Sequence, residues 1–385
     1  MRLLTIAGTR PEAIKLAPLA IEAARRAEIT HRFVATGQHG GLFHDTLAAF
    51  GVAADADLGL MTPGQSIDAL AAAVAAAVAA ETVAFRPDLL IVQGDTTSAW
   101  AAALAARAAG VPVGHVEAGL RSGDPLLPWP EERNRIEIDR VATLLFAPTP
   151  AAIANLRAEA DVRGAAILTG NTGIDALLAM RARVAPPVDA LAAARHAPRL
   201  ILVTAHRREN IGDGLAGICA AVRRLAARGD VRLVVPVHPN PAVKAQVTAA
   251  LADVAGVALV PTLDYPAMVR MMARACLLLS DSGGLQEEAP ALGLPMLVLR
   301  ENSERPEAIA AGNAVLVGAD PDRIVAAAAR LLDDPAAHAA MARPAFPFGR
   351  GDAAVRILDA IGAWRAAALA IPPSVPHGGG LKGRM

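Results

Sequence analysis

Carboxylates gather where apolar runs end. "QGDTTS" sets Asp95 after one run, and "GHVEAGLRSGDPLLPWPEERNR", residues 114–135, sets Glu117 and Glu131 after the next. Carboxylates that converge can act as base and acid, because mutual repulsion and burial raise one pKa. The competing role for each is an ion pair with Arg121, Arg133 or Arg135, and Glu132 is assigned to that role. Pro125, Pro128 and Pro130 stiffen the loop between them, since proline fixes φ and removes a donor.

Other polar clusters occupy equivalent positions. "SDSGGLQEEAPALG" ends a strand at Ser280–Asp281–Ser282, and Gly283 and Gly284 then open a helix. Glycines there let the backbone approach a ligand, and the unpaired N–H groups of a helix start favour a phosphate or diphosphate. Glu287 and Glu288 are expected in the first helical turn, where they suit the dipole; a carboxylate there could also accept ribose hydroxyls. "GTRPEAIK" carries Arg10 and Lys15 at the start of the first helix, facing a phosphate. "TAHRREN" puts His206 after an apolar strand and before two arginines, suited to a negative ligand; "PVHPNP" adds His238. No metal-ligand spacing, G-x-S-x-G, G-x-G-x-x-G or P-loop occurs. Neither a serine nucleophile, bound NAD in the usual manner nor NTP hydrolysis is therefore expected.

These clusters need elements to hold them. "RLLTIAG", "HRFVATG", "PDLLIVQGD", "VPVGHVEAG" and "TLLFAPT" alternate with helical stretches, and the pattern restarts at "RLILVTA" near residue 199. Continuous apolar strands alternating with helices indicate a parallel sheet covered on both faces. The fold class expected is α/β, with two Rossmann-like parallel-sheet domains facing a cleft. Ligands bind beyond the carboxyl ends of such strands, where the polar clusters fall. Residues 1–168 form the expected first domain, with the catalytic carboxylates, and residues 169–350 the second. The stretch 167–184 joins them, and a helix at 351–370 packs back on the first. The tail 371–385, with three prolines and a triple glycine, is expected to be disordered.

Composition narrows the classes. Of 385 residues 54% are hydrophobic, which supplies ample core, and Lys+Arg balances Asp+Glu at 37 each. No basic excess argues for nucleic acid. Two cysteines, Cys219 and Cys276, in apolar contexts argue against a disulfide framework or zinc site. With no secretory signal at the N-terminus, a reduced, cytoplasmic setting is expected. The alanine-rich "ALAAAVAAAVAAETVAF", residues 69–85, is interrupted by Glu81 and reads as a buried helix rather than a membrane span.

"GTRPEAIKLAPL", "QGDTTSAWAAALAA", "GHVEAGLRSGD", "PWPEERNR", "TGNTGIDAL", "VTAHRREN", "PVHPNP" and "DSGGLQEEAPALGLPMLVLRENSERPEA" resemble the non-hydrolysing UDP-N-acetylglucosamine 2-epimerases, in order from about residue 3 to about residue 360. The resemblance implies a GT-B-like fold, a homodimer, a UDP-sugar substrate, and neither cofactor nor metal. It implies interconversion of UDP-N-acetylglucosamine and UDP-N-acetylmannosamine. UDP is eliminated across carbons 1 and 2 to give bound 2-acetamidoglucal, then added back with inversion at carbon 2. On matching positions Asp95, Glu117 and Glu131 resemble the acid/base carboxylates. Arg10, Lys15, Arg135 and His206 resemble groups around the sugar and diphosphate, with His206 also counted as catalytic. Ser282, Gly283 and Gly284 resemble the diphosphate turn, Glu288 the ribose carboxylate and Arg305 a phosphate-side arginine.

The sequence departs from the family in one region. Many bacterial members carry "QHRQM" or "QHREM" after the second strand, and an arginine where Gly64 stands, as part of a regulatory substrate site. Here "GQHGGLF" keeps Gln38 but follows it with glycines, although Gln65, His238 and Glu132 remain. Weak or absent activation by substrate is expected. The alternatives are a 2-epimerase for a modified UDP-sugar, such as UDP-2,3-diacetamido-2,3-dideoxy-glucuronate, release of free N-acetylmannosamine, a GT-B glycosyltransferase, or a non-catalytic UDP-sugar sensor.

Overall fold

The apolar runs become two fully parallel sheets. A computed structural model describes all residues except 39, 63, 125–127, 185–198, 208–209 and 371–385. The expected tail thus lies outside the described residues. The first sheet comprises β1 (Arg2–Ala7), β2 (Thr30–Ala35), β3 (Ala56–Asp57), β4 (Leu89–Gln93), β5 (Val113–Val116), β6 (Leu144–Ala147) and β7 (Ala165–Leu168), in the order β3-β2-β1-β4-β5-β6-β7. The second comprises β8 (Arg199–Thr204), β9 (Val231–Pro236), β10 (Val257–Val260), β11 (Leu277–Ser280), β12 (Met296–Val298) and β13 (Ala314–Leu316), in the order β10-β9-β8-β11-β12-β13.

Central strands are apolar along their length because helices cover both faces. Every residue of β4, Leu89 to Gln93, is buried, and so are all of β5 and β6. Truncating Leu89 or Phe146, both fully enclosed, costs about 3–5 kcal/mol by removing contacts and leaving a cavity. All strands run parallel, but the order in which they are added reverses between β1 and β4 and again between β8 and β11. Such a switch point splays the flanking loops and opens a crevice beyond the carboxyl ends.

The lobes touch through apolar side chains below that crevice. The connecting helix Thr172–Val184 packs on the helix Arg10–Ala24 and on two helices of the second lobe, Tyr265–Arg274 and Gly283–Leu292. Phe50 and Tyr265 meet across the lobes with centroids 5.8 Å apart. The chain crosses between lobes at Gly170 and returns at Gly349, with φ of 87° and 116°. The crossings are tied by the Asn171 N–H donating to the Phe348 carbonyl at 2.7 Å. The last helix, Ala353–Ala370, packs on Arg10–Ala24 and Thr172–Val184. Asp175 caps its start by accepting the Ala353 and Ala354 N–H groups at 3.2 and 2.9 Å.

The alanine-rich stretch departs from expectation. It forms the helix Ile67–Phe85, which by length and composition could cross a membrane. It is not enclosed: only Leu70, Val74, Val78 and Thr82 are buried, one i, i+4 stripe. Alanine's small side chain let composition read as burial where only every fourth residue is covered.

Candidate active site

At the switch point of the first lobe, Thr9 caps the helix Arg10–Ala24 and Glu12 reaches back over it. The Glu12 carboxylate accepts the N–H groups of Gly8 (3.0 Å) and Thr9 (2.7 Å) and the Thr96 hydroxyl (2.9 Å). One buried side chain therefore pins the loop after β1 to the loop after β4. Burial raises its pKa against those three donors.

Lys15, from this helix, meets Glu117 at the end of β5. Its Nζ lies 2.6 and 2.7 Å from the Glu117 oxygens and 3.2 Å from Glu287 Oε2 of the second lobe. Arg305 Nε donates to Glu287 at 3.0 Å, and its Nη2 stands 3.8 Å from Glu117. Gln93 donates to Glu117, and Asn171, at the crossing, donates to Glu287 at 2.9 Å. Two cations and two carboxylates thus interlock between the lobes. Burial pushes Glu117 up; Lys15 pulls it back without cancelling the rise, because Lys15 is shared with Glu287, which also repels Glu117. Burial opposes the charged form of Glu287 too, but Lys15 and Arg305 outweigh it and hold Glu287 below its usual value. Burial alone would lower Lys15; Glu117 and Glu287 hold it above.

The second lobe supplies an anion cradle. Ser282 is the N-cap of the helix Gly283–Leu292, and its hydroxyl makes no capping bond. A Cβ on Gly283 would stand 3.3 Å from Arg207 Nη2 and 3.4 Å from Arg305 Cζ. Open helix-start amides beneath two guanidiniums form a site for a diphosphate. Glu304 orients these groups: it lies 2.9 Å from Arg305, 2.7 Å from Arg300 and 3.7 Å from Arg207. Burial would raise Glu304, but Arg305 and Arg300 take it down to about 2. Asp281, fully buried, accepts the N–H groups of His206 and Arg207, each at 2.9 Å from Oδ2, and so fixes the loop after β8 beside the cradle. His206 stacks on His238 with centroids 5.4 Å apart. Burial, offset by Asp281, lowers the His206 pKa.

A second carboxylate group surrounds the helix Glu131–Val141, whose buried positions are largely polar: Glu132, Asn134, Arg135, Ile138 and Asp139. Arg135 pairs with Asp95, with Nε at 3.1 Å, and with Glu132 at 2.9 Å; Asn134 donates to the Asp95 carbonyl at 2.9 Å. The ion-pair role assigned to Glu132 is what the structure holds. Arg121 and Arg133 pair elsewhere, with Glu159 and Glu137. Glu131 is the first residue of this helix rather than the end of a strand, as the sequence had led us to expect. Its Oε2 is buried with no partner among the described residues, an acceptor that awaits a donor.

The remaining residues fall around these clusters. Arg10 reaches across to donate to the Leu263 carbonyl at 2.8 Å. Glu288 accepts the Tyr265 hydroxyl at 2.9 Å, and burial raises its pKa to about 7. Glu287 and Glu288 lie in the second turn, not the first, since the helix begins at Gly283. That phase puts Glu287 four residues after Gly283, on the face turned to Arg305. Glu287, Gln93, Asn171 and Arg207 were not chosen from sequence. The i, i+4 relation of Gly283 and Glu287 was the signal for the first, and the place of Arg207 directly after His206 the signal for the last; Gln93 and Asn171 carried none.

Residues 21–362 match the pattern of the UDP-N-acetylglucosamine 2-epimerase family. The UDP-N-acetylglucosamine 2-epimerase of Salmonella typhimurium is 43% identical over 374 residues, 95% of this chain and 99% of that one. The Neisseria meningitidis UDP-GlcNAc 2-epimerase, solved bound to UDP-GlcNAc, superposes with a TM-score of 0.88 at 38% identity, over 94% of this chain and all of that one. MurG of Acinetobacter baumannii, at 14% identity and a TM-score of 0.58, shares the two-lobed GT-B-like fold alone. The chain belongs to the UDP-N-acetylglucosamine 2-epimerase family and is an isomerase.

Proposed function

We propose that the protein interconverts UDP-N-acetylglucosamine and UDP-N-acetylmannosamine by eliminating UDP and adding it back through bound 2-acetamidoglucal. The observation that carries this reading is the meeting of Lys15 and Glu117 with Glu287 and Arg305 beside the open start of the Gly283 helix. The relatives' activity supports it, as does the UDP-GlcNAc bound to the Neisseria protein.

In the forward direction a carboxylate takes the proton from carbon 2 while the bond from carbon 1 to the β-phosphate oxygen breaks. The C–H electron pair becomes the carbon 1–carbon 2 double bond, and the broken bond's pair leaves with UDP. In the return step the same phosphate oxygen bonds carbon 1, and carbon 2 receives a proton on its opposite face. Inversion thus needs proton-moving groups on two sides of the ring. Glu117 and Glu131 stand on different elements, and Asp95 lies beside Arg135. The raised pKa of Glu117 suits a group that must hold and release a proton. Lys15, Arg305 and the Gly283 amide would stabilise the departing diphosphate, an effect largest where water is excluded. A homodimer follows from the same likeness, and light scattering checks it.

The deciding experiment incubates the protein with UDP-N-acetylglucosamine in deuterated water and follows the products by proton NMR. Deuterium at carbon 2 of both epimers is expected. Recovery of unexchanged substrate, or a requirement for an acceptor, would overturn the reading. Free N-acetylmannosamine as the product would make it a hydrolysing enzyme, and turnover of a modified UDP-sugar alone would change the substrate.

A further inference from the structure

Glu117 has a backbone conformation that its residue type does not favour. Its φ is 69°, in the left-handed region that few residues other than glycine enter. Two residues on, Gly119 has φ 84°, and a Cβ there would collide with the Ala152 carbonyl oxygen. A kink of this kind persists where its surroundings over-determine it.

The Phe146 carbonyl accepts the Glu117 and Ala118 N–H groups at 3.0 and 3.1 Å, and one buried carboxylate braces the kink on both sides. Asp139 is fully enclosed; its Oδ1 lies 2.6 Å from His115 Nδ1, and its Oδ2 accepts the Gly119 N–H at 3.1 Å. The same side chain thus grips the chain two residues before Glu117 and two residues after it. Arg121 Nη1 braces Oδ2 at 2.8 Å and is itself held by Glu159 at 2.6 and 3.1 Å. The other ring nitrogen of His115, also fully enclosed, lies 2.8 Å from the Gly94 carbonyl oxygen. Gly94 in turn donates its N–H to the Val116 carbonyl at 3.0 Å, and Asp95 follows it directly. The imidazole thus has an oxygen within hydrogen-bond distance of each ring nitrogen. It joins the turn that carries Asp95 to the kink that carries Glu117.

We propose that Asp139 and His115 are positioning residues for the reaction, a buried clamp that holds Glu117 kinked into the cleft and sets Asp95 beside it. Neither touches the cleft; they act through the two carboxylates. The proposal rests on the reading above for what Glu117 and Asp95 do. The diphosphate cradle belongs to the other lobe, so the clamp bears on turnover and not on UDP.

The test is Asp139→Asn, which keeps the side chain's shape but leaves one oxygen for three donors. A carboxylate displaced by about 1 Å loses on the order of 100-fold in rate, so kcat should fall by about that factor. KM for the UDP-sugar and Kd for UDP should stay within about 3-fold, the pattern of a lost transition-state interaction. A crystal structure of the variant should show the Glu117 φ relaxed. His115→Gln, which keeps a single donor arm, should give the same split and serves if Asp139→Asn does not fold. A folded variant with wild-type kcat would overturn the proposal, as would UDP affinity that falls in step with kcat. Failure of both variants to fold would also overturn it, since the pair would then be scaffold. A wild-type protein that epimerises no UDP-sugar would sink the functional reading instead, before any variant is made.

Discussion

Glu287→Gln should weaken the free protein and tighten its hold on UDP. The glutamine keeps the shape of the side chain and removes a charge 3.2 Å from Lys15 and 3.0 Å from Arg305. Removing one member of a buried ion-pair set costs about 3–5 kcal/mol, because the others are left uncompensated. The unliganded variant therefore melts lower than the wild type. UDP affinity moves the other way. An anion on the far side of the Arg305 guanidinium lies roughly 8 Å from Glu287, where like unit charges repel by about 2 kcal/mol at an effective dielectric of about 20. Glu287 also orients Arg305, and replacing that charged acceptor by an amide oxygen returns about 1 kcal/mol. The net is about 1 kcal/mol, or about 5-fold tighter UDP binding. Turnover falls nonetheless, because Lys15 then serves Glu117 alone and lowers its proton affinity. Isothermal titration with UDP at fixed pH and ionic strength reads the result. UDP bound equally well or more weakly by the variant refutes the placing of the diphosphate against Arg305.

Glu117→Gln and Glu131→Gln should each lower kcat by about 100- to 10,000-fold, the range for a lost general acid or base, with UDP affinity kept; activity retained in both would remove them from the chemistry. Gly283→Ala puts a methyl group against Arg207 and Arg305, at 3.3 and 3.4 Å, and should weaken UDP about 10-fold or more without lowering the melting point. Glu288 gives a pH signature. Burial raises its folded pKa to about 7, above the unfolded value, so between those two values the folded state holds more protons. Its contribution is full at acid pH and declines by about 3 kcal/mol as pH climbs to about 7. Asp175, raised by burial to about 6, acts with the same sign. Urea midpoints of the wild type minus those of Glu288→Gln isolate the Glu288 part, and a difference independent of pH would contradict it. Turnover of UDP-N-acetylmannosamine should proceed without added UDP-N-acetylglucosamine, because glycines stand at 40, 41 and 64; strict dependence on the second sugar in initial-rate kinetics would refute this.

The strand ends were legible because parallel strands are apolar along their whole length, and the first polar residue after each run marks the crevice. Lys15, Glu117, Ser282, Gly283 and Arg305 were found that way or through motif likeness, and the structure gathers them at the lobe contact. β3 was not legible: at two residues, Ala56–Asp57, it has no apolar run to show. Glu287 and Glu288 are identical in type and adjacent in sequence, so only helix phase distinguishes them. The start at Gly283 turns Glu287 to the cations and Glu288 to Tyr265. The helix Glu131–Val141 shows the limit most clearly. Its composition reads as a solvent-facing helix, yet Glu132, Asn134, Arg135 and Asp139 are all buried. Each has a partner supplied by a residue between 10 and 40 positions away, such as Ser122 for Glu132, Gly119 for Asp139 and Asp95 for Arg135. A charged side chain can be enclosed only when its partners arrive with it. Burial of a polar helix is therefore decided by the loops that close over it, and those loops are what carry Asp95 and Glu117.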